Sequence, residues 1–351
     1  MISVEIPKQE IIIKLIPDKI YNEKLRNKIE EYKNKLGEEI NKIGEKTYFY
    51  GFRSKYDVGV SIMKYIKTNK IAENLTNAGI KLLEIIKYYN LVNKDLRIFF
   101  NAELPGSFVY AMKYYTFKEK IKMEWIASSY VPDKNNTALE DKFGLWKNNP
   151  DKWLMNKNFN GDITSIENLK YIMNYFSNEN NKVDLYTSDI GGVIDYTKDS
   201  ELEMIQLDFM QAIYGLISLR KGGSMVLKQF SFFHGFNMSL ILIYSSMFEK
   251  FYISKPSTSR PINSEIYLIG VNFIKLNINI NEIINNFTNI SSLLNLNLYD
   301  ISSLLKAQEI LYEQQIYHLN ELIKFIQTKK QNDNYIKKNN IIINNYITSY
   351  L

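Results

Sequence analysis

Four charged residues stand in segments that are otherwise apolar or typical of strands, and their types could perform acid–base chemistry. They are Lys81, Asp189, Lys228 and Glu265. A charge inside a protein is costly unless an opposite charge compensates it, and two lysines with two carboxylates can compensate each other. Two ammonium groups close together also favour the neutral amine of one of them, and a neutral amine can accept a proton. The set therefore predicts a site that removes a proton from a substrate.

Each member also has an ordinary structural interpretation. Lys81 could be a solvent-facing helix lysine, Asp189 a turn or N-cap residue, and Glu265 the first residue of a strand. Lys228 is harder to interpret in this way, because a lysine within an apolar strand is expected mainly at the edge of a sheet.

A second feature is the tight turn Glu103–Phe108, which follows a strand-like segment and opens a helix. Gly106 would let the backbone approach a ligand, and the helix N-terminus would offer free N–H groups. Pro-Gly also marks many ordinary turns, so this motif alone is weakly specific.

Strand and helix patterns alternate around these residues. Predicted strands are Arg97–Ala102, Met123–Ala127, Val183–Ser188, Ser224–Phe230, Lys250–Ser254 and Glu265–Phe273, with a turn at 220–223. Predicted helices are Ile20–Glu45, Ile71–Tyr89, Phe108–Tyr115, Met204–Leu219, Met238–Ser246 and Ile301–Thr328. Such alternation predicts a parallel α/β sheet with helices on both faces, and ligands bind at the carboxyl ends of its strands. Asp189 and the turn after the first of these strands lie at such ends.

The order and the flanking sequences of the four residues resemble those of the FtsJ-type ribose 2′-O-methyltransferases, over about Lys70–Phe273. The matching segments are Asn77–Leu82, Glu103–Phe108, Ser188–Gly192, Lys221–Lys228 and Pro256–Glu265. The segments Gly144–Trp153 and Gly161–Thr164 look closest to cap-specific mRNA methyltransferases of large cytoplasmic DNA viruses. The turn at Glu103 departs from the more glycine-rich turn of that family, and the segment before Gly161 is long.

The resemblance implies a Rossmann-like α/β methyltransferase sheet that binds S-adenosyl-L-methionine and has helices on both faces. It would span residues 70–275, between an N-terminal helical and aromatic extension (1–69) and a mostly helical C-terminal region (276–351). Lys81, Asp189, Lys228 and Glu265 would be the catalytic tetrad, with Lys228 as the general base. Expected cofactor contacts are Glu103, Pro105, Gly106, Ser107, Phe108, Asp162 and Asp189. For Asp162, an N-cap role for a helix at Ile166–Asn174 is an equal alternative.

The expected partner is RNA, at the capped mRNA 5′ end, together with a capping enzyme or polymerase. Two stretches combine aromatic and basic side chains that could stack on bases or on a cationic cap guanine, or could simply cover the sheet. They are Trp146, Lys147, Lys152 and Trp153, and Tyr48, Tyr50, Arg53 and Lys55. His234 and His318 have no motif partners, and no metal site is expected.

The amino-acid composition limits which of these functions and locations are expected. The 351 residues include no cysteine and carry a formal net charge of +6, which permits but does not require a polyanionic partner. Neither a signal peptide nor a membrane-spanning segment is expected, and the expected location is the cytoplasm, in a viral factory or virion. Two alternatives stay open: a ribosomal or transfer RNA 2′-O-methyltransferase, and an inactive methyltransferase fold that serves as an RNA-binding or capping subunit.

Overall fold

A seven-stranded sheet forms the centre of the protein in the computed structural model, which describes residues 1–8, 19–92, 94–131, 141–154, 160–191, 199–276 and 301–351. The strands are β1 (Ile2–Glu5), β2 (Leu96–Asn101), β3 (Met123–Ser128), β4 (Val183–Ser188), β5 (Leu219–Gln229), β6 (Phe248–Lys255) and β7 (Ile266–Phe273). Their order across the sheet is β1-β6-β7-β5-β4-β2-β3.

The longer helices are α1 (Glu23–Ile43), α4 (Val58–Thr68), α5 (Asn77–Tyr88), α6 (Ser107–Lys118), α8 (Ile166–Phe176), α9 (Ser200–Ser218), α10 (Gly235–Ser245), α11 (Ser302–Thr328) and α12 (Asp333–Tyr350). Short helices are α2 (Glu45–Thr47), α3 (Ser54–Tyr56) and α7 (Leu145–Asn148), with a π-helical turn at Tyr48–Arg53 and 3-10 turns at Pro150–Lys152 and Glu179–Asn181. None of the helices in the described ranges is long and apolar enough to cross a bilayer.

The sheet is mixed, whereas a parallel sheet was predicted. The four strands β3, β2, β4 and β5 are parallel, but β7 is antiparallel to both β5 and β6, and β1 is antiparallel to β6. The connection from β6 to β7, residues 256–265, has no helix. A parallel pairing needs a longer crossover, usually helical, so the two strands pair antiparallel.

Helices cover both faces of the sheet, as predicted. Alternate strand residues belong to two separate apolar clusters because successive side chains point to opposite faces. Phe99, Tyr186 and Leu227 pack with α8, α9 and α10, while Phe100 and Val226 pack with α5 and α6. The strand ends therefore remain the accessible edge of the sheet.

The turn predicted at 220–223 is instead part of β5, and this prediction was wrong. The register with β4 shifts between Val183 and Leu185, and Gly222 has a φ of 83°. The glycines thus belong to a β-bulge, which inserts residues without ending the strand. Gly-Gly has the same sequence pattern in a turn and in a bulge.

The N- and C-terminal helical segments pack against each other as well as against the sheet domain. Leu36 of α1, Phe52 of the π-helical turn and Leu322 of α11 belong to one apolar cluster. The Tyr346 hydroxyl of α12 donates to the Ile80 carbonyl of α5 at 2.7 Å. Strand β1 also adds to the sheet edge from within the first 69 residues. The predicted domain limits stay a prediction, and residues 277–300 of the tail lie outside the described residues.

Candidate active site

Lys81 and Glu265 form a close ion pair between α5 and the start of β7. The Lys81 Nζ lies 2.7 Å and 2.9 Å from the two carboxylate oxygens of Glu265. Both side chains are nearly buried, at 12% and 9% exposure. The Ser259 hydroxyl donates to Glu265 Oε1 at 2.6 Å and so fixes the carboxylate from the other side. Lys81 is therefore not the solvent-facing lysine of the alternative interpretation.

Lys228 and Asp189 form the second pair, at the carboxyl ends of the neighbouring parallel strands β5 and β4. The Lys228 Nζ donates to the Asp189 backbone carbonyl at 2.9 Å and lies 3.1 Å from Asp189 Oδ1. The carboxylate contact is an ion pair without hydrogen-bond geometry, since Oδ1 accepts no hydrogen bond. The ring of Phe230 lies 5.8 Å from Nζ. Gly192, which follows this strand end, is outside the described residues.

The two pairs lie within electrostatic range of each other. Burial raises the pKa of Asp189, against the effect of the Lys228 and Lys81 ammonium groups, and the Glu265 charge raises it further. Burial would also raise the pKa of Glu265, but Lys81 and the Ser259 hydroxyl outweigh it, so this pKa is lowered. The structure therefore brings the four predicted catalytic residues together in one desolvated cluster.

A row of polar side chains crosses the sheet at the strand ends beside this cluster. Ser128, Asn101 and Ser188 lie in register on β3, β2 and β4. Four side-chain oxygens here are buried and have no hydrogen-bond partner: Ser128 Oγ, Asn101 Oδ1, Ser188 Oγ and the neighbouring Thr187 Oγ1. Since buried polar atoms are nearly always satisfied, these oxygens indicate a polar ligand at this edge. Such a site fits an adenosyl cofactor, which carries many hydrogen-bonding groups.

The turn after β2 is built around its glycine and Glu103. Gly106 has a φ of 111°, and a Cβ there would lie 2.6 Å from Leu145, so only glycine fits. Glu103 is buried, and its Oε1 accepts from the Phe108 and Val109 N–H groups at 2.8 Å and 2.9 Å, which caps α6. Burial raises the pKa of Glu103 well above its usual value.

The predicted cofactor contacts in this turn differ in how exposed they are. Pro105 and Ser107 are partly exposed. The Phe108 ring is fully buried in the core and its N–H donates to Glu103. The role of Phe108 as a cofactor contact stays a prediction.

Asp162 follows a glycine that packs directly on the end of β3. A Cβ at Gly161, which has a φ of 78°, would lie 1.7 Å from the Ser129 carbonyl oxygen. The Asp162 Oδ1 accepts from the backbone N–H and the hydroxyl of Thr164. The N-cap of α8 is Ser165, whose hydroxyl accepts from Asn168. The N-cap interpretation of Asp162 is therefore wrong, and the side chain lies at the sheet edge where a ligand could reach it.

Two residues of the site were missed in the sequence. Lys255 ends β6 and donates to the Glu265 carbonyl at 2.9 Å and to Asn263 at 2.8 Å and 2.9 Å. Burial lowers the pKa of Lys255 to about 7. Glu84, one helical turn after Lys81, accepts four hydrogen bonds from Ser257 and Thr258. The one indication in the sequence was that each charge lies in an apolar helix or strand.

The first aromatic-basic stretch is largely structural. Trp153 is only 5% exposed and packs against Trp125 and Trp146, and it makes a parallel β-bridge to Ala127. The second stretch, around Tyr50, lies on the surface. The histidines pair locally, His234 with Asp199 and His318 with Tyr335, and the described ranges hold no group of residues suited to a metal.

Comparison with known proteins agrees with this geometry. The family model described as FtsJ-like methyltransferase matches residues 75–273. The chain is 39% identical over 236 residues to the "Probable methyltransferase EP424R" of African swine fever virus, covering 64% of this chain and 55% of that protein. It is 29% identical over 224 residues to the "Cap-specific mRNA (nucleoside-2'-O-)-methyltransferase 2" of Drosophila melanogaster, covering 60% of this chain and 31% of that protein. The chain thus spans about half of the viral relative and a smaller part of the fly relative.

Among solved structures, a putative ribosomal RNA methyltransferase from Plasmodium falciparum aligns with a TM-score of 0.38 and 20% identity, covering 57% of this chain and 99% of that one. At this score the likeness has no bearing on function. The family match includes more than half of the chain and contains the two lysine–carboxylate pairs. This chain belongs to the FtsJ-like methyltransferase family.

Proposed function

We propose that the protein is an S-adenosylmethionine-dependent RNA ribose 2′-O-methyltransferase that acts on the mRNA 5′ cap. The observation that carries the proposal is the pair of buried lysine–carboxylate contacts, Lys81 with Glu265 and Lys228 with Asp189, beside the polar row at the strand ends. A ribose hydroxyl is a poor acid, so its methylation benefits from a positioned base. The name of the fly relative favours the cap as the substrate.

Lys228 is the proposed base. Its Nζ donates to the Asp189 backbone carbonyl and lies 3.1 Å from Asp189 Oδ1, so these two oxygens orient the amine. The lone pair of that amine is then left for the proton of the 2′-OH. Lys81, held by both oxygens of Glu265, adds a fixed positive charge nearby and would bind the hydroxyl or a phosphate.

The cofactor would lie along the polar row, held by Asn101, Ser128 and Ser188, with the turn at Gly106 and Ser107 near its amino-acid part and Asp162 near its adenine. Bound S-adenosylmethionine supplies an electrophilic methyl group on a sulfonium leaving group. The protein's own contribution is to orient the hydroxyl, exclude water and hold the proton at Lys228 Nζ. Asp189 would lie between the cofactor and Lys228, and it would orient the Lys228 amine.

Methyl transfer from labelled S-adenosylmethionine to short capped and uncapped RNAs tests the proposal. Lys228→Ala should reduce transfer to capped RNA by about 10²–10⁴-fold, the usual contribution of a general base. The matched control is Lys250→Ala, an exposed lysine on β6, which should leave transfer unchanged. Cofactor affinity should stay within a few-fold in both variants.

Three results would contradict parts of the proposal. A Lys228→Ala enzyme within tenfold of the wild type would exclude Lys228 as the base. Equal transfer to uncapped structural RNA would favour the ribosomal or transfer RNA alternative. An absence of both transfer and cofactor binding would favour the inactive RNA-binding subunit. The capping-enzyme or polymerase partner and the cytoplasmic location stay predictions.

A further inference from the structure

The π-helical turn Tyr48–Arg53 presents aromatic side chains to solvent, outside the region that the family model matches. Tyr50 is 74% exposed and Phe49 is 40% exposed, and their rings lie 5.1 Å apart in an edge-on arrangement. Two neighbouring rings that are this exposed contribute little to the packing of the hydrophobic core. π-Helical turns in proteins frequently lie at functional sites.

These rings line a surface cavity of about 450 Å³ together with charged side chains of both signs. Glu45 of α2 contributes a carboxylate, and Arg53 contributes a guanidinium that lies 4.9 Å from the Phe49 ring. Tyr48 completes the aromatic part of the wall. This cavity is called the aromatic pocket below, and its lining residues are Ile40, Glu45, Lys46, Tyr48, Phe49, Tyr50 and Arg53.

The aromatic pocket shares wall residues with a groove that reaches residues beside the proposed catalytic cluster. Tyr48 and Arg53 line both the pocket and this groove of about 910 Å³, which also includes Arg260 and Ser264. Burial raises the pKa of Tyr48, the Arg53 and Arg260 charges act against this rise, and the Asp57 carboxylate adds to it. Arg53 lies 3.7 Å from an Asp57 carboxylate oxygen, whereas Arg260 is exposed and makes no ion pair with any described residue.

The far part of the groove touches the site itself. Ser264 immediately precedes Glu265, and Phe230, another lining residue, has its ring 5.8 Å from Lys228 Nζ. A ligand that fills the aromatic pocket and the groove would therefore extend from exposed aromatic rings, past two arginines, to the proposed base.

We propose that the aromatic pocket binds the positively charged 7-methylguanine base of an mRNA cap, and that Arg53 and Arg260 bind its phosphate chain. This inference rests on the proposed function, whose substrate it positions. A cationic purine stacks favourably on aromatic rings. The Glu45 carboxylate can accept hydrogen bonds from the N–H groups of guanine, and arginine suits phosphate oxygens in geometry and charge.

Direct binding of 7-methyl-GTP and of GTP, measured by calorimetry without cofactor or RNA, tests this site. The wild type should prefer 7-methyl-GTP by about tenfold or more, which is typical of a cation–aromatic contact in a pocket. Tyr50→Ala and Arg53→Ala should each weaken 7-methyl-GTP binding by about tenfold, the usual effect of losing a stacking ring or a phosphate contact. The matched control Phe117→Ala removes a ring that is 87% exposed on α6 and should change nothing.

The outcomes separate this inference from the proposed function. Equal affinity for GTP and 7-methyl-GTP, or unchanged binding in Tyr50→Ala, would overturn the inference even if capped RNA is methylated and Lys228→Ala is inactive. If 7-methyl-GTP binding depends on Tyr50 but no RNA is methylated, the pocket is supported and the enzymatic proposal fails. Because Tyr50 is largely exposed, its substitution should not prevent folding.

Discussion

At the scale of single residues, the two lysines differ in the anion that holds them. Glu265 has a lowered pKa and contacts the Lys81 Nζ with both of its carboxylate oxygens. Asp189 has a raised pKa, chiefly through burial, and offers Lys228 its backbone carbonyl and one carboxylate oxygen without hydrogen-bond geometry. Lys228 thus has fewer hydrogen bonds to carboxylate than Lys81, which leaves more of its bonding positions for a substrate hydroxyl and supports the proposal that Lys228 is the base.

Glu265→Gln should therefore damage both stability and rate. The substitution leaves the Lys81 ammonium, only 12% exposed, without its counterion. We expect a loss of about 2–4 kcal/mol in the free energy of unfolding, since breaking a buried ion pair from one side is costly. Methyl transfer should fall on the order of 10²-fold because Lys81 is no longer fixed.

Denaturant unfolding and labelled methyl transfer measure the two effects. The control is Glu124→Gln, which removes an ion pair with Lys122 whose atoms are 3.8 Å apart and whose side chains are 61% and 73% exposed. An exposed pair of this kind contributes less than about 1 kcal/mol. Equal stability of Glu265→Gln and Glu124→Gln would show that the Lys81–Glu265 contact is not a buried pair in solution.

At the scale of elements, α5 organises one half of the site. Its residue Lys81 pairs with Glu265, and Glu84, on the next turn, holds the backbone and hydroxyl groups of Ser257 and Thr258. The following residue, Ser259, donates to Glu265. One helix thus fixes Glu265 twice, directly through Lys81 and indirectly through the connection between β6 and β7.

Glu84→Gln tests this arrangement. An amide cannot accept four hydrogen bonds with the strength of a carboxylate, so the connection at residues 257–259 should become more mobile. We expect faster amide hydrogen exchange at Ser257 and Thr258 and a fall in kcat on the order of tenfold, with the KM for RNA nearly unchanged. Glu119→Gln, at the exposed end of α6, is the control. Unchanged exchange and kcat would show that Glu84 does not position the site.

The elements also show what could be predicted from the sequence. Lys228 and Asp189 were identified because a charge at the end of an apolar strand seldom serves the fold alone, and parallel strands bring their carboxyl ends together. Glu84 was missed because a glutamate three residues after a lysine in a helix usually indicates an exposed pair, and its partners are 173 residues away. The direction of β7 was missed because a continuous apolar run looks the same in parallel and antiparallel strands that are buried on both faces.

At the scale of the whole molecule, the helical segments outside the family match help to form the groove that reaches the start of β7. α1 and α11 pack together through Leu36 and Leu319, and both residues also line the groove that reaches Ser264. The groove therefore exists only when the terminal helices dock on the methyltransferase core. Conditions that loosen these helices should weaken RNA binding before they disturb the cofactor site.

Acidification should loosen these helices, because it favours the protonation of His318 in α11. Its Nδ1 lies 2.6 Å from the Tyr335 hydroxyl of α12, and burial lowers its pKa to about 4, with Lys255 and Lys338 acting in the same direction and Glu321 against them. Between about pH 6.5 and pH 4 the unfolded chain binds a proton at this position that the folded chain does not. Stability therefore falls as the pH decreases through this range, by about 3 kcal/mol from this group, and is unaffected by it above pH 7.

His318→Gln should remove this part of the acid sensitivity. Denaturant unfolding at pH 7.5 and pH 4.5 should show a smaller loss of stability in the variant than in the wild type, by about 2–3 kcal/mol. The affinity for capped RNA should likewise fall less steeply with acid in the variant, because the groove depends on the docked α11. Parallel loss of stability in both proteins would show that His318 does not cause the acid sensitivity and that the pH response does not act through the terminal helices at this position.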